Sequence, residues 1–229
     1  MGVFQFVKDA GRKLTDRVRG ESAPTAPAAP AASAQASGPS PQERDQRIAR
    51  LLQAKVAGMD LGIQDLEVHF KDGNAVLTGR AESSGDAERA VLIVGNSVGV
   101  AQVDDKIEVA EPAPQAVFHT VVRGDTLSKI AQEHYGVMRL YETVFGANVP
   151  MLEHPDAIYP GQVLRIPAVG APLHIVKPGE SLSKIAKYWY GKSSEHPRIA
   201  AANGLDTGAG LQVGQEIRIP LAEAAPAVS

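Results

Sequence analysis

Along the first nineteen residues Val3, Phe6, Val7, Ala10, Leu14 and Val18 recur close to three- and four-residue spacing, which predicts a short amphipathic helix over 1–19. The pattern vanishes over 20–41, where prolines recur among Ala and Ser. Proline blocks helix and sheet, and Ala and Ser bury too little apolar area to offset ordering entropy, so a disordered, partly extended linker is expected. Helical spacing returns in QERDQRIARLLQAKV, where Ile48, Leu51, Leu52 and Val56 form a stripe that the aliphatic stem of Lys55 continues. The period then changes to two. Leu66, Val68 and Phe70 alternate with Glu67 and His69, Asp72-Gly73-Asn74 marks a turn, and Ala75, Val76, Leu77 and Thr78 resume the run, which reads as a β-hairpin. SSGDAERAVLIVGNSVG opens on Ser84 or Asp86 as cap and closes on glycines, as a helix does, and VAQVDDKIEV reads as a third strand. Helix, hairpin, helix, strand predicts an α+β domain over 42–110, a three-stranded sheet with helices on one face.

The remainder of the chain repeats itself. HTVVRGDTLSKIAQEHYG from His119 aligns without a gap on HIVKPGESLSKIAKYWYG from His174, and GQVLRIP from Gly161 aligns on GQEIRIP from Gly214. Each copy, 117–168 and 172–221, reads as strand, capped helix, second helix and returning strand; the expected caps are Asp125 or Thr126 and Glu180 or Ser181. Residues 222–229 are expected to be a disordered tail. The whole chain is therefore expected to be a multidomain α+β protein.

Composition narrows the functions. A chain of 229 residues rich in Gly and Pro and poor in aromatics suits several small cores. A net charge of -3 lacks the basic excess that nucleic-acid phosphates demand. With no cysteine there are no disulfides, zinc-thiolate sites or thiol chemistry. Lys8, Asp9, Arg12, Lys13, Asp16 and Arg17 interrupt the N-terminal apolar positions, leaving no uninterrupted core for a secretory signal. No stretch approaches the roughly 18 apolar residues that span a bilayer. A cytoplasmic monomer is expected.

At Gly-Asp-Thr-Leu, at the asparagines Asn148 and Asn203 after the second helices, and in the Pro-Gly-Gln closing strand, the repeat resembles the LysM family. That resemblance implies a βααβ fold and a shallow groove for N-acetylglucosamine glycans such as peptidoglycan. Its loops would be Gly124, Asp125, Thr126 and Leu127 with Ala157, Ile158 and Tyr159 in the first copy, and Gly179, Glu180, Ser181 and Leu182 with Gly210, Leu211 and Gln212 in the second. The same residues also cap helices and close turns in any module of this type. Residues 42–109 resemble the BON family through their element order and the GNSVGVAQVDDKIEV ending. MGVFQFVKDAG, this domain and the first LysM copy together resemble the bacterial cytosolic potassium-binding proteins that join BON to a single LysM domain. The Ala/Pro linker and the second LysM copy depart from that pattern.

Potassium suits neutral carbonyl oxygens that replace its water shell, whereas clustered carboxylates favour calcium or magnesium. VGNSVGV is the candidate segment, because Gly95 and Gly99 let the chain leave the helix and expose its last carbonyls at the negative end of the dipole. The resemblance implies that carbonyls of the N-terminal helix, around Val7 and Ala10, complete a K+ shell with those near Gly95, Ser97 and Val100, with no organic cofactor and with the LysM copies responding to the ion. The alternative is an envelope protein that grips peptidoglycan through both LysM copies. A third reading takes 1–19 as a basic membrane-surface helix, but its apolar face is small and docking on the adjacent domain is simpler.

Other residues carry less. Asp104, Asp105 and Glu108 lack calcium-loop spacing and read as a solvated strand end. His119 and His174 occupy one position of the repeat, and His134, His154 and His196 form no HExxH pattern. Trp189 with Tyr188 and Tyr190 suits core packing more than sugar stacking. No nucleophile, base and orienter set is present, so a noncatalytic binding protein is expected.

Overall fold

The structure is a computed structural model that describes residues 2–6, 40–111, 116–208 and 210–222. The expected helix beyond Phe6, the linker up to residue 39 and the tail from 223 lie outside the described residues. Two compact units emerge, the first comprising Met1–Ala113 with Tyr159–Val163, the second Pro114–Ile158 with Leu164–Ser229.

The first unit corrects the reading of the N-terminus. Gly2–Gln5 is a strand, β1, and not the start of a helix. It pairs antiparallel with β4 (Gln102–Glu111), Gly2 facing Asp105 and Gln5 facing Gln102. GVFQF satisfies a two-residue period as well as a helical one: Phe4 and Phe6 are partly buried while Val3 and Gln5 are exposed. An open edge on β4 decides between the two periods, and the expected three-stranded sheet becomes four-stranded in the order β1-β4-β3-β2.

Local chemistry sets the other elements. Helix α1 (Pro41–Ala57) starts at a capping box, in which Ser40 Oγ accepts from the Glu43 N–H at 3.3 Å and the Glu43 carboxylate accepts from the Ser40 N–H at 2.7 Å. Strands β2 (Gln64–Lys71) and β3 (Asn74–Ser83) form the hairpin; Asp72 and Gly73 both have positive φ, 50° and 87°, the conformation of a two-residue turn that follows the strand twist. Helix α2 (Ser84–Gly95) is capped by Ser83, one residue before the expected Ser84, while Asp86 accepts the Ser83 hydroxyl proton at 2.6 Å. Parallel strands need a crossover, and α2 is the one between β3 and β4. It buries Ala87, Ala90, Val91, Leu92, Ile93 and Val94 against Val68, Ala75, Leu77, Val103 and Ile107 of the sheet and Leu52 and Val56 of α1.

The second unit holds two βααβ copies, except that Tyr159–Val163 of the first copy is grouped with the first unit. The first has β5 (Val117–Thr120), α3 (Leu127–Tyr135), a 3-10 turn at Met138–Leu140, α4 (Tyr141–Ala147) and β6 (Val163–Ile166). The second has β7 (Leu173–Ile175), α5 (Leu182–Tyr190), a 3-10 turn at Ser193–Glu195, α6 (His196–Ala202) and β8 (Glu216–Arg218). Thr126 and Ser181 are the caps, each accepting from a lysine N–H three residues on. Gly136 and Gly191, left-handed at φ 67° and 76°, end the helices. The asparagines after the second helices stitch each copy together. Asn148 donates to the carbonyls of Val144 and Arg165 and accepts from the Arg165 N–H, and Asn203 does the same with Ile199 and Arg218. The Tyr135 and Tyr190 hydroxyls donate to Pro167 and Pro220, and burial pushes both phenols up to about 12. One apolar core runs through both copies, from Ile130 and Leu164 to Ile185 and Ile217. Arg139 of the first copy lies over the Tyr188 ring of the second at 4.6 Å.

The position that ties β1 to α2 is Gly95, where a Cβ would overlap the Phe6 ring. Helix propensity alone makes Gly95→Ala stabilising by about 0.5–1 kcal/mol. The overlap reverses the sign, and we expect a net loss of about 1–3 kcal/mol in denaturant unfolding. The loss should disappear when Gly95→Ala is made in a Phe6→Ala background.

Candidate functional site

The last turn of α2 and the segment that follows carry the carbonyls proposed for an ion. Hydrogen bonds of this turn use the carbonyls of Leu92 (Asn96 N–H, 2.9 Å), Val94 (Ser97 N–H, 3.0 Å), Ile93 (Ser97 hydroxyl, 2.7 Å) and Ser97 (Val100 N–H, 3.2 Å). None of them goes to the carbonyl of Gly95. A C-terminal helix turn carries partial negative charge on such oxygens, and GNSVGV contributes no carboxylate, so the local donor set fits a large monovalent cation better than a divalent one. Gly95 and Val100 are buried and Ser97 is partly buried. Val7 and Ala10 lie outside the described residues. Phe6, the residue before Val7, is described: its N–H donates to the Ala101 carbonyl at 2.8 Å and its ring covers Gly95, which brings the N-terminal segment to this turn.

Three side chains besides the candidate carbonyls shape this turn. Lys55 of α1 donates from Nζ to Ser97 Oγ at 3.0 Å, placing a fixed positive charge there. Asn96, between Gly95 and Ser97, accepts from the Val163 N–H at 2.8 Å and donates to the Val163 carbonyl at 2.9 Å, both within the first unit. Phe6 is the third. Asn96 lies in the segment that the sequence singles out and the N-terminal segment is expected to meet it, but no motif joins Lys55 to it, since that contact joins residues far apart in sequence. Asp104, Asp105 and Glu108 go to separate partners: Asp104 to Lys106 at 3.3 Å, Asp105 to the Ile107 N–H at 3.0 Å, and Glu108 to Arg80 at 3.9 Å. Burial raises the Asp105 carboxyl, partly offset by that N–H.

In the second unit the strand-to-helix loops of both copies are built alike. Asp125 accepts from the Val122 N–H at 2.9 Å and faces His119 Nε2 at 3.0 Å; Glu180 accepts from the Lys177 N–H at 2.8 Å and faces His174 Nε2 at 2.8 Å. Lys129 and Lys184 donate to the carbonyls of Gly124 and Gly179. The loop carboxylates are thus occupied by their own modules, and Leu127 and Leu182 are buried core residues. What the first loop offers a ligand is a cleft of about 460 Å³ lined by Thr126, Leu127, Ser128, Tyr141, His154, Pro155 and Asp156. Ile158 packs against the core, and Tyr159 belongs to the segment grouped with the first unit. In the second copy Leu211 also packs on the core, and the Gln212 N–H donates to Gln215. Trp189 packs against the core and donates from its indole N–H to His174 Nδ1 at 3.2 Å, in keeping with packing; Tyr190 is buried. No helix among the described residues is long and apolar enough to cross a membrane.

Comparison with known proteins agrees with this architecture. Residues 44–111 match the BON domain family, and residues 119–167 and 174–220 match the LysM domain family. The chain is 41% identical over 170 residues to the potassium binding protein Kbp of Escherichia coli O6:H1, covering 73% of this chain and 99% of that protein. It is 36% identical over 137 residues to the esterase Rv1288 of Mycobacterium tuberculosis, covering 59% of this chain and 29% of the esterase. It is 30% identical over 158 residues to an endolysin of Bacillus phage B103, covering 65% of this chain and 54% of the endolysin.

The loop carboxylates make stability depend on acid. Burial alone would raise Glu180, but the Lys177 N–H, the hydrogen bond from His174 and the Lys177 charge outweigh it and hold the carboxyl below its usual 4.5. A carboxyl with a depressed folded pKa contributes stability that is complete above the ordinary value and is lost as pH falls through the folded one. Glu180→Gln should cost about 1–2 kcal/mol at pH 7 and flatten the decline in melting temperature below pH 4.5.

Proposed function

This chain belongs to the BON–LysM family of the potassium binding protein Kbp, and from that premise we propose that it is a noncatalytic potassium-binding protein or sensor of the cytosol. The K+ ion is held by main-chain carbonyls of the first unit, Gly95, Ser97 and Val100, completed by those of Val7 and Ala10, and the LysM copies are the platform that responds. The observation that carries the reading is the packing of Phe6 on Gly95. It brings the residue before Val7 against a helix end whose Gly95 carbonyl is used by none of the turn's own bonds. Neutral oxygens from two chain segments meet the requirement of a large, weakly hydrated ion, and the joining of two segments gives binding a structural consequence. Asn96 supplies the next link, since an ion that fixes Gly95 and Ser97 also fixes the residue that holds Val163. Lys55 opposes the ion, because its ammonium sits on Ser97.

A second reading, binding of peptidoglycan through the LysM copies at the envelope, is favoured by the Thr126–Tyr141 cleft and by the LysM matches. The loop carboxylates weigh against it, since their hydrogen bonds are already met internally.

The melting temperature of the purified chain should rise with KCl and not with equal NaCl; equal rises remove the potassium reading. Lys55→Gln removes one positive charge near the ion and should tighten K+ binding about two- to fivefold at low ionic strength. Retention on purified peptidoglycan, with no difference between the two salts, would favour the second reading instead.

A further inference from the structure

The two LysM copies differ at one place where the difference is chemical. His119 and His174 occupy the same position, and each faces a loop carboxylate through Nε2, Asp125 at 3.0 Å and Glu180 at 2.8 Å. In the second copy the partner of Nδ1 is the Trp189 indole N–H at 3.2 Å. An indole nitrogen only donates, so His174 Nδ1 is the acceptor and Nε2 carries the proton that goes to Glu180. The matching arrangement in the first copy leaves His119 with its proton on Nε2, toward Asp125, and a lone pair on Nδ1. In front of that lone pair stands His134 in place of the tryptophan, its Nε2 at 3.1 Å. Glu133, where the second copy has Tyr188, adds a carboxylate, and one ligand atom from each of His119, Glu133 and His134 lies within 4.8 Å of the other two.

We propose that the first LysM copy carries a binding site for a divalent transition-metal ion of the Zn2+ type, with His119 Nδ1, His134 Nε2 and the Glu133 carboxylate as ligands and Asp125 as the residue that orients His119. Two imidazole nitrogens bound at 2.0–2.1 Å to one tetrahedral zinc stand about 3.3 Å apart, so the present separation needs only a small adjustment. The facing nitrogens are 3.1 Å apart while the ring centroids are 5.2 Å apart, so the rings meet at their nitrogen-bearing edges. Carboxylate, histidine and metal in line is the arrangement that fixes a ligand's tautomer and raises its basicity. The His119 side chain is 12% exposed and that of Asp125 15%, so the orienting pair is held in place by its surroundings, while Glu133 is exposed and gives the ion access. On binding, the ion takes the place of the His134 Nε2 proton, and that ring carries its proton on Nδ1 instead. The second copy, with a donor-only indole and a phenol at the two positions, cannot form the site and is its natural control.

The experiment is a Co2+ titration of the untagged full chain, read by visible absorption, with Zn2+ back-titration. The expected result is one equivalent bound with tetrahedral bands that Zn2+ displaces. His134→Trp, which installs the second copy's residue and keeps an N–H donor toward His119, should lower affinity at least about 100-fold, and Asp125→Asn about 10- to 100-fold. His196→Gln, in the second copy, should leave affinity unchanged. His134→Gln, which also retains a donor, serves if the tryptophan variant does not fold. Absence of stoichiometric binding by the parent chain, or binding that His134 substitution leaves unchanged, would overturn the proposal and leave an ordinary histidine pair.

Discussion

In the first unit the absent Cβ of Gly95 is the constraint on which the rest depends. The Phe6 ring occupies that space, and through it the N-terminal strand is held against the end of α2 as well as along the edge of β4. Two kinds of interaction meet here. The sheet bonds of β1 fix its register, and the ring contact fixes where the chain leaves the sheet. Without the second, the strand end has no reason to stop beside the glycine-flanked turn. The same turn gathers Lys55 and Asn96, so its conformation is shared by α1, α2 and the Val163 segment.

The second unit shows what duplication keeps and what it releases. Asparagine clamps, buried tyrosines, left-handed glycines and loop carboxylates recur in both copies because each satisfies main-chain groups that every such module exposes. What faces His119 and His174 is under no such demand. Imidazole and carboxylate stand in one copy where indole and phenol stand in the other, and both solutions satisfy the histidine.

Local signals were legible in the sequence. The turn at Asp72-Gly73, the helix after the hairpin and the paired repeats follow from short-range rules, and each repeat is capped by the second of its two candidates, Thr126 and Ser181. The fourth strand was not legible, because GVFQF fits two periods and the choice depends on an edge a hundred residues away. Part of the surroundings of the candidate ion site was hidden for the same reason: no motif joins Lys55 to it, and a carbonyl has no side chain to signal it. For the histidine pair the repeat alignment held the clue, since it sets His134 against Trp189, but only the geometry shows that both point at the same nitrogen.

The most direct test of the proposed role is hydrogen–deuterium exchange of the full chain in equal concentrations of KCl and NaCl. Potassium, and not sodium, should slow exchange in two separate peptides, one ending at the N-terminal strand around Phe6 and one covering residues 94–101. Equal exchange in the two salts across both peptides would contradict the account, as would protection confined to the LysM copies.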